Sequence, residues 1–542
     1  MPQAHLIVDR LENDQMAKSL LLLASLTLTV SPLHAHDYTS RTFRKLQLTD
    51  KFWSEGTTFA DINRDGHNDI IAGPYWYEGP DFKRRHEFYP ATKTFTSKHA
   101  DGTETTIAGF DGGLGSGTLD KDTFEDNFYV TTYDFNRDGW PDILVVGFPG
   151  TDASWYENPG KDELSSNTFW KRHVVADGVD NQSIEFVDFF GNGRPVLVCM
   201  HGGKAGYFSP ANNAASKWTF HAISETSDEF QWYTHGLGYG DVNGDGRNDI
   251  LHSDGWWEQP VSLAKDPVWQ YHPYPFHLGP NQIKLFLFAR AADPEHLGVF
   301  YDAKVQRHVY GILQYPLKGV AVADVSPDGI PEYQTIYGGS HMSVYDVNGD
   351  GLADVVTSIV AHGYGLVWWE QLKTHDRFGG PEFRRHIIIN REPSENKYGV
   401  EFSEMQAVTL FDIDGDGLKD IITGKRFWGH GNGTKVKMDP ESNAPAVLYW
   451  FKQVHNADGT VDFIPHLIDD HSGAGTQITV GDVNGDGLPD ILVANKNGAF
   501  VFFQEVTHVT KEQWEAAEPK ILFPTHHTVA RHDNHTCRSR CE

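Results

Sequence analysis

Cysteine is almost missing from this chain. Of 542 residues only Cys199, Cys537 and Cys541 carry a thiol, too few for a disulfide framework, so packing must hold the fold. Positive charge is also scarce: 45 Lys and Arg face 74 Asp and Glu, a formal net charge of −29. A field of that sign repels phosphate backbones and anionic lipid, which argues against nucleic acid or an acidic membrane surface as partner. The apolar run Leu20 to Val30 is too short to cross a bilayer, so a membrane-spanning protein is not expected. Aromatics, at 13%, are plentiful and give ample material for a core.

The short apolar run has another use. Met16-Ala17-Lys18 opens a basic region, Leu20 to Val30 follows, and Leu33-His34-Ala35 suits cleavage. The pattern predicts a signal peptide over 1–35, with Met16 as the true start, and hence export to the periplasm, cell surface or medium. A body over 36–505 and a tail over 506–542 follow. The tail carries a helical stretch, Lys511 to Ala517, and a His/Cys-rich end.

The body repeats itself. A turn of the form D-x-N/D-x-D-G-x-x-D recurs six times, and its oxygen side chains are the candidate ligands: Asp61, Asn63, Asp65 and Asp69; Asp134, Asn136, Asp138 and Asp142; Asp241, Asn243, Asp245 and Asp249; Asp346, Asn348, Asp350 and Asp354; Asp412, Asp414, Asp416 and Asp420; Asp482, Asn484, Asp486 and Asp490. A seventh copy, Asp188 to Val196, is degraded. Oxygens at positions 1, 3, 5 and 9 around a glycine turn suit a hard cation, with Ca²⁺ favoured as a structural cofactor. Apolar β-type runs follow each loop, such as Ile143 to Val146, so these are strand-to-strand turns rather than EF-hands.

Two further elements keep step with the loops. One is an aromatic couplet (Trp76-Tyr77, Trp155-Tyr156, Tyr207-Phe208, Trp256-Trp257, Trp368-Trp369, Tyr449-Trp450 and Phe502-Phe503), read as packing between units. The other is a strand ending near His86, His173, His221, His272, His386 or His466. Each unit is thus a four-stranded antiparallel sheet, and radial repetition predicts an all-β, seven-bladed β-propeller. The last unit lacks its outer strand, and Phe43 to Leu48 resembles the missing piece, so the N-terminal strand should close the ring. Insertions fall near 87–127 and 273–340. The second contains an acidic echo, Asp324 to Gly329, which leaves an eighth, irregular blade as the alternative.

Topology then assigns faces. The acidic turns sit at one end, and the starts of the inner strands and the loops between second and third strands sit at the other. That second end gathers polar residues. Glu55, Asn127, Gln182, His235, His341, Glu404, Gln406 and Gln477 precede the acidic loops, and His201, His252, Asp254, His362, Tyr364, Lys425, Arg426, His430 and Lys496 lie on the connecting loops. Imidazoles, carboxylates, a phenol and cations at one concave mouth are the expected binding site.

The repeats resemble the FG-GAP/VCBS family, which includes the integrin α-chain propellers, over nearly all of the mature chain. The stretches from Thr234 (THGLGYGDVNGDG), Ala361 (AHGYGLVWWE) and Ala444 (APAVLYWF) resemble exported bacterial propellers of polysaccharide degraders. A more distant resemblance is to the propeller domain of aldos-2-ulose dehydratase, on His235 and more loosely His341, and to propeller-type polysaccharide lyases. These resemblances imply carbohydrate as partner and a lyase or dehydratase that eliminates water or an alkoxide beside a carbonyl or carboxylate. In that expectation His235 or His362 is the base, Tyr364 the acid, and Lys425 and Arg426 neutralise a substrate carboxylate, with His430 beside them. Gln182, His201, Asp254, Glu404, Gln406, Gln477 and Lys496 hold the substrate. Alternatively His235, His252 and His341 carry Zn²⁺. The competing expectation is a non-catalytic carbohydrate- or protein-binding propeller using the same mouth.

Overall fold

A computed structural model describes residues 38–523 apart from 92–93, 99–102, 109–123, 165–167, 228–229, 231–233, 277–296, 303–306, 313–338, 376–379, 428, 430–439 and 442. The signal segment, His430, the acidic echo at Asp324 and the terminal cysteines lie outside the described residues.

The fold is all-β and built of four-stranded antiparallel meanders. Five stand as separate sheets. They begin at the inner strands Thr57–Ala60, Tyr129–Tyr133, Glu185–Val187, Val408–Phe411 and Ile478–Gly481. Two further meanders, starting at Leu237–Gly240 and His341–Tyr345, are fused into one eight-stranded sheet. The expectation of seven separate sheets is corrected on this point, and the cause is local. Gly238 and Gly240 lack side chains where the next inner strand passes: a Cβ on Gly238 would lie 1.8 Å from the Met342 carbonyl oxygen. The two backbones therefore approach closely enough to pair in parallel, Leu237 opposite His341 and Tyr239 opposite Ser343.

Tyr38–Thr49 pairs antiparallel with Gly498–Val509, with Phe43 opposite Gln504, and supplies the outer strand of the last sheet. Two short hairpins, Thr94–Lys98 with Glu104–Ala108 and Leu297–Asp302 with Arg307–Ile312, occupy the insertions. Thr510 caps the helix Lys511–Ala517 through a capping box with Gln513.

Strand periodicity explains the couplets. Successive side chains leave opposite faces of a strand, so each couplet serves two interfaces between sheets. Trp155 packs with Leu197 and Trp218 of the following sheet, while Tyr156 packs with Ile71 and Trp76 of the preceding one. Trp257 and Trp256 divide in the same way. On the neighbouring strand the histidine ring lies flat on the first aromatic: Trp76 with His86, Trp155 with His173 and Trp256 with His272, each at 4.1 Å between centroids. A carboxamide then hooks one sheet to another. The side chains of Asn158, Gln371, Gln453 and Gln504 donate to the carbonyls of Ile62, Val242, Val347 and Ile413.

Candidate functional site

The acidic turns occupy one end. In each, the first Asp accepts backbone N–H groups of the fifth and sixth residues: Asp61 takes Asp65 and Gly66 at 3.0 Å each. The closing Asp is fully buried and works as a staple. Asp249 accepts from Val242 N at 3.0 Å and Gln259 N at 2.9 Å, tying its turn to the third strand. Burial pushes the closing carboxyls up, to about 7 at Asp69, Asp142, Asp249 and Asp354, about 8 at Asp420 and about 6 at Asp490. An all-oxygen donor set and carboxylates short of compensating charge fit a hard divalent cation. Among the described residues, Asp412, Asp414 and Asp420 bring three carboxylate oxygens within 4.8 Å of one another. His235, His252 and His341, the alternative zinc set, are not grouped in this way.

The opposite end is built around Arg426, which follows the strand Asp420–Gly424 and is 1% exposed. Its guanidinium forks onto Glu55, Nε to Oε2 at 2.9 Å and Nη2 to Oε1 at 2.8 Å, and its Nη1 reaches Gln406 at 2.6 Å and Gln182 at 3.2 Å. One side chain thus draws together three sheets distant in sequence. The rings of Phe124 and Phe128 lie 5.9 and 5.5 Å from it, a cation–π wall.

Gln406 passes this order onward. Its oxygen is committed to Arg426, so its NH₂ faces the imidazole of His362, 3.1 Å from each ring nitrogen. The amide thus lies against the edge of the imidazole between its two nitrogens and positions the ring. His362 Nε2 in turn lies 3.1 Å from His235 Nε2. His341 Nδ1 contacts the Gln406 carbonyl at 3.3 Å, and desolvation lowers its pKa to about 4.

A second buried pair stands beside the first. Lys425 Nζ donates to Glu404 Oε1 and Ser403 Oγ at 2.8 Å each, with both charged side chains 0% exposed. Glu404 adopts φ of +64°, a left-handed conformation costly for a non-glycine residue. There its carbonyl accepts from Arg426 N and Gln406 N. Lys496 Nζ lies 4.8 Å from the Phe124 ring, facing the same wall as Arg426.

A cavity of about 670 Å³ adjoins this cluster at His341 and is lined by residues of the inner strands including Tyr129, Glu185, Tyr239 and Gln477. Desolvation raises the Glu185 carboxyl to about 7 and, with Glu185 nearby, the Tyr239 phenol to about 12.

The structure therefore unites Gln182, His235, His341, His362, Gln406 and Arg426, with Glu404, Lys425 and Lys496 adjoining. It directs other candidates elsewhere. Gln477 spends both ends of its amide on Val130 N and O at 3.1 Å, joining two inner strands. His201 contacts the Gly178 carbonyl at 2.7 Å and packs against Phe208 and Phe220. His252 packs on Phe230 and lies 3.8 Å from Asp254. The Arg391 guanidinium lies 5.5 Å from the Tyr364 ring, and burial, then Glu441, raises its phenol further above the ordinary value. The aromatic wall of Phe124 and Phe128 was missed; its one signal was two phenylalanines flanking Glu125-Asp126-Asn127 at the end of an insertion.

Residues 134–199 and 412–493 match the FG-GAP-like repeat family model. Among curated proteins none matches the chain. Solved structures of similar arrangement include a lectin of Agrocybe aegerita that recognises non-reducing terminal N-acetylglucosamine, 15% identical over 86% of both chains with a TM-score of 0.33. They also include the V. cholerae biofilm matrix protein Bap1, 12% identical over 87% of this chain and 89% of that one, TM-score 0.28. The rhamnogalacturonan lyase YesW is 11% identical over 86% of this chain and 72% of that one, TM-score 0.31. Likenesses this distant carry nothing about ligand or reaction. The chain carries FG-GAP-like repeats, set in a β-propeller of four-stranded antiparallel blades.

Proposed function

We propose that this is an exported, calcium-loaded propeller acting on carbohydrate as a carbon–oxygen lyase or dehydratase, with its site at the Arg426 mouth. Counting the fused sheet as two blades gives seven. Contacts of the last sheet with the first, Thr476 N to Glu55 O at 3.1 Å and Thr479 Oγ1 to Thr57 O at 2.6 Å, support a closed ring. Calcium, held by the six acidic turns, would neutralise their carboxylates and brace the end away from the mouth.

The observation that carries the catalytic reading is the His235–His362 contact of 3.1 Å, held by the relay Gln406–Arg426–Glu55. Two imidazoles in contact through their Nε2 atoms can form a proton-transfer couple. His362 takes the proton from the carbon beside a carbonyl. As the C–O bond breaks and a C=C bond forms, the imidazolium pair returns a proton to the departing hydroxyl or alkoxide oxygen. Lys425 and Arg426 are already neutralised by Glu404 and Glu55, so they hold the mouth in shape rather than attract an anion. That favours a keto-sugar over a uronate.

The same full burial of both ion pairs supports a second reading, a non-catalytic carbohydrate- or protein-binding propeller whose mouth is a rigid polar plug. One screen separates them. Purified protein is offered keto-sugars and uronate-containing polysaccharides while ultraviolet absorbance of an unsaturated product is followed. Absorbance that vanishes in His362→Ala and His235→Ala supports the lyase. Silence with every substrate, together with glycan binding intact in both variants, would overturn it.

A further inference from the structure

A second cavity, of about 450 Å³, is lined by none of the residues of the Arg426 cluster and lies where residues after the first sheet meet the third and fourth strands of the second. Its volume falls within the roughly 300–1,000 Å³ usual for small-molecule sites, and its chemistry is specific. Arg172 Nη2 contacts both carboxylate oxygens of Asp152 at 2.8 Å, and its Nε donates to Ser154 Oγ at 3.1 Å. Tyr89 donates its hydroxyl to Asp126 at 3.2 Å, and its ring stacks on Tyr156 at 4.9 Å between centroids. Phe169 stands at the wall with half its surface exposed, 50%. Such an aromatic is poorly placed for core packing and well placed to cover a ligand's C–H face.

We propose that this pocket binds a neutral sugar residue. Carboxylates accept paired hydroxyls, the Arg172 guanidinium donates to hydroxyl or ring oxygens, and the Phe169 face packs on axial C–H groups. Of the lining carboxylates, Asp152 is paired with Arg172 and Asp177 with Lys217, and Asp126 adds a further negative charge, so uronates, phosphates and sulfated sugars are disfavoured. The site does not rest on the reading of the mouth: it shares none of the residues of that cluster, and its ligand need not react.

The test is saturation-transfer difference NMR on the full chain with glucose, galactose, mannose and N-acetylglucosamine as probes and galacturonate as the charged control. At least one neutral sugar should receive transfer in the wild type and equally in His362→Ala. Its affinity should weaken about tenfold in Asp152→Asn, as loss of one charge-assisted contact implies, and by about three- to tenfold in Phe169→Ala, as loss of one aromatic face implies. Phe169 is half-exposed, so its truncation should leave the melting temperature within a degree or two of wild type. The proposal is overturned if no neutral sugar receives transfer, if galacturonate binds as well, or if Phe169→Ala and Asp152→Asn both bind like wild type. Loss of transfer in His362→Ala alone would move the binding to the mouth and also overturn it.

Discussion

The two ends of this molecule solve opposite problems. At the acidic end each unit repeats one device: a turn whose first Asp holds backbone amides and whose last Asp, fully buried, staples the turn to the third strand. At the mouth nothing repeats. Glu55, Gln182 and the Gln406–Arg426 pair come from three units and meet once. The acidic end spreads its stability over many copies of one local contact set. The mouth concentrates charge in two pairs that cannot be reached by water, so each partner is indispensable to the other. Periodic elements build the ring, and the single convergence gives it a site.

The largest effect should come from breaking that convergence. Arg426→Met leaves the Glu55 carboxylate buried without its fork and should cost about 3–5 kcal/mol in denaturant unfolding. Glu55→Gln combined with Arg426→Met should recover part of that loss, because no charge is then stranded. Recovery would show that the pair itself, rather than packing, carries the cost. If Arg426→Met costs under about 1 kcal/mol, the value of a surface pair, the contrast between the ends is lost. Next comes a staple. Asp249→Ala removes the acceptor of two buried N–H groups and should cost about 2–4 kcal/mol, whereas Asp245→Ala, on the exposed arc of the same turn, should cost about 1 kcal/mol or less.

Acidity probes the mouth separately. His341 has its pKa lowered to about 4 by desolvation, from an ordinary 6.5. The unfolded chain therefore binds the proton more readily, so the stability it contributes is present above pH 6.5 and is lost as pH falls from there toward 4. The loss is at most about 3 kcal/mol. Glu185 has the opposite sign. Its carboxyl is raised to about 7 from 4.5, so its favourable contribution is present below 4.5 and fades as pH rises to 7. His341→Gln should flatten the acid limb of a melting-temperature profile against pH, and Glu185→Gln the limb above pH 4.5. An unchanged profile in His341→Gln would mean that water reaches that imidazole.

Period and composition made the acidic end legible. Asp, Asn and Gly at fixed spacing have one backbone solution, and the couplets announce strands with two buried faces. The Asp69 staple and the Gln371 hook were also visible as repeated residues, yet their partners were not, because a hydrogen bond between units leaves no periodic trace. The mouth was legible only as a list. His235, His341, His362 and Gln406 could be assigned to one face by strand direction, but which of them touch depends on loop paths that no spacing encodes. Lys425 and Arg426 misled in a physical way. Sequence shows a cation, while its neutralising partner, Glu404 or Glu55, appears only when the chain is folded. The fused sheet turned on Gly238 and Gly240, which read equally as turn residues until Met342 is seen beside them.

The smallest effect tests whether the acidic turns are equivalent. Where four units place Glu two residues beyond the stacked aromatic (Glu78, Glu157, Glu258 and Glu370, each bonded to its histidine), the Tyr207 unit has Ser209, bonded to His221, and the Trp450 unit has Lys452. The ammonium turns away from His466 and contacts Asp414, and Asp416 at 3.1 Å. Its unit is also the one with Asp414 in place of the Asn found in the other five complete turns. An extra carboxylate thus arrives with its own tethered cation, and the turn at 412–420 shares with the turn at 241–249, where Arg247 pairs with Asp245, a cation that the turn at 61–69 lacks. Chelation should therefore affect the turns unequally. Amides of Asp65, Gly66 and His67 should exchange faster with deuterium once divalent cations are removed, and those of Asp416, Gly417 and Leu418 should change less. Lys452→Met should erase the difference, at a cost in global stability of about 1 kcal/mol or less. If all turns respond alike in the wild type, Lys452 is a surface lysine with an acidic neighbour and the repeat is uniform after all.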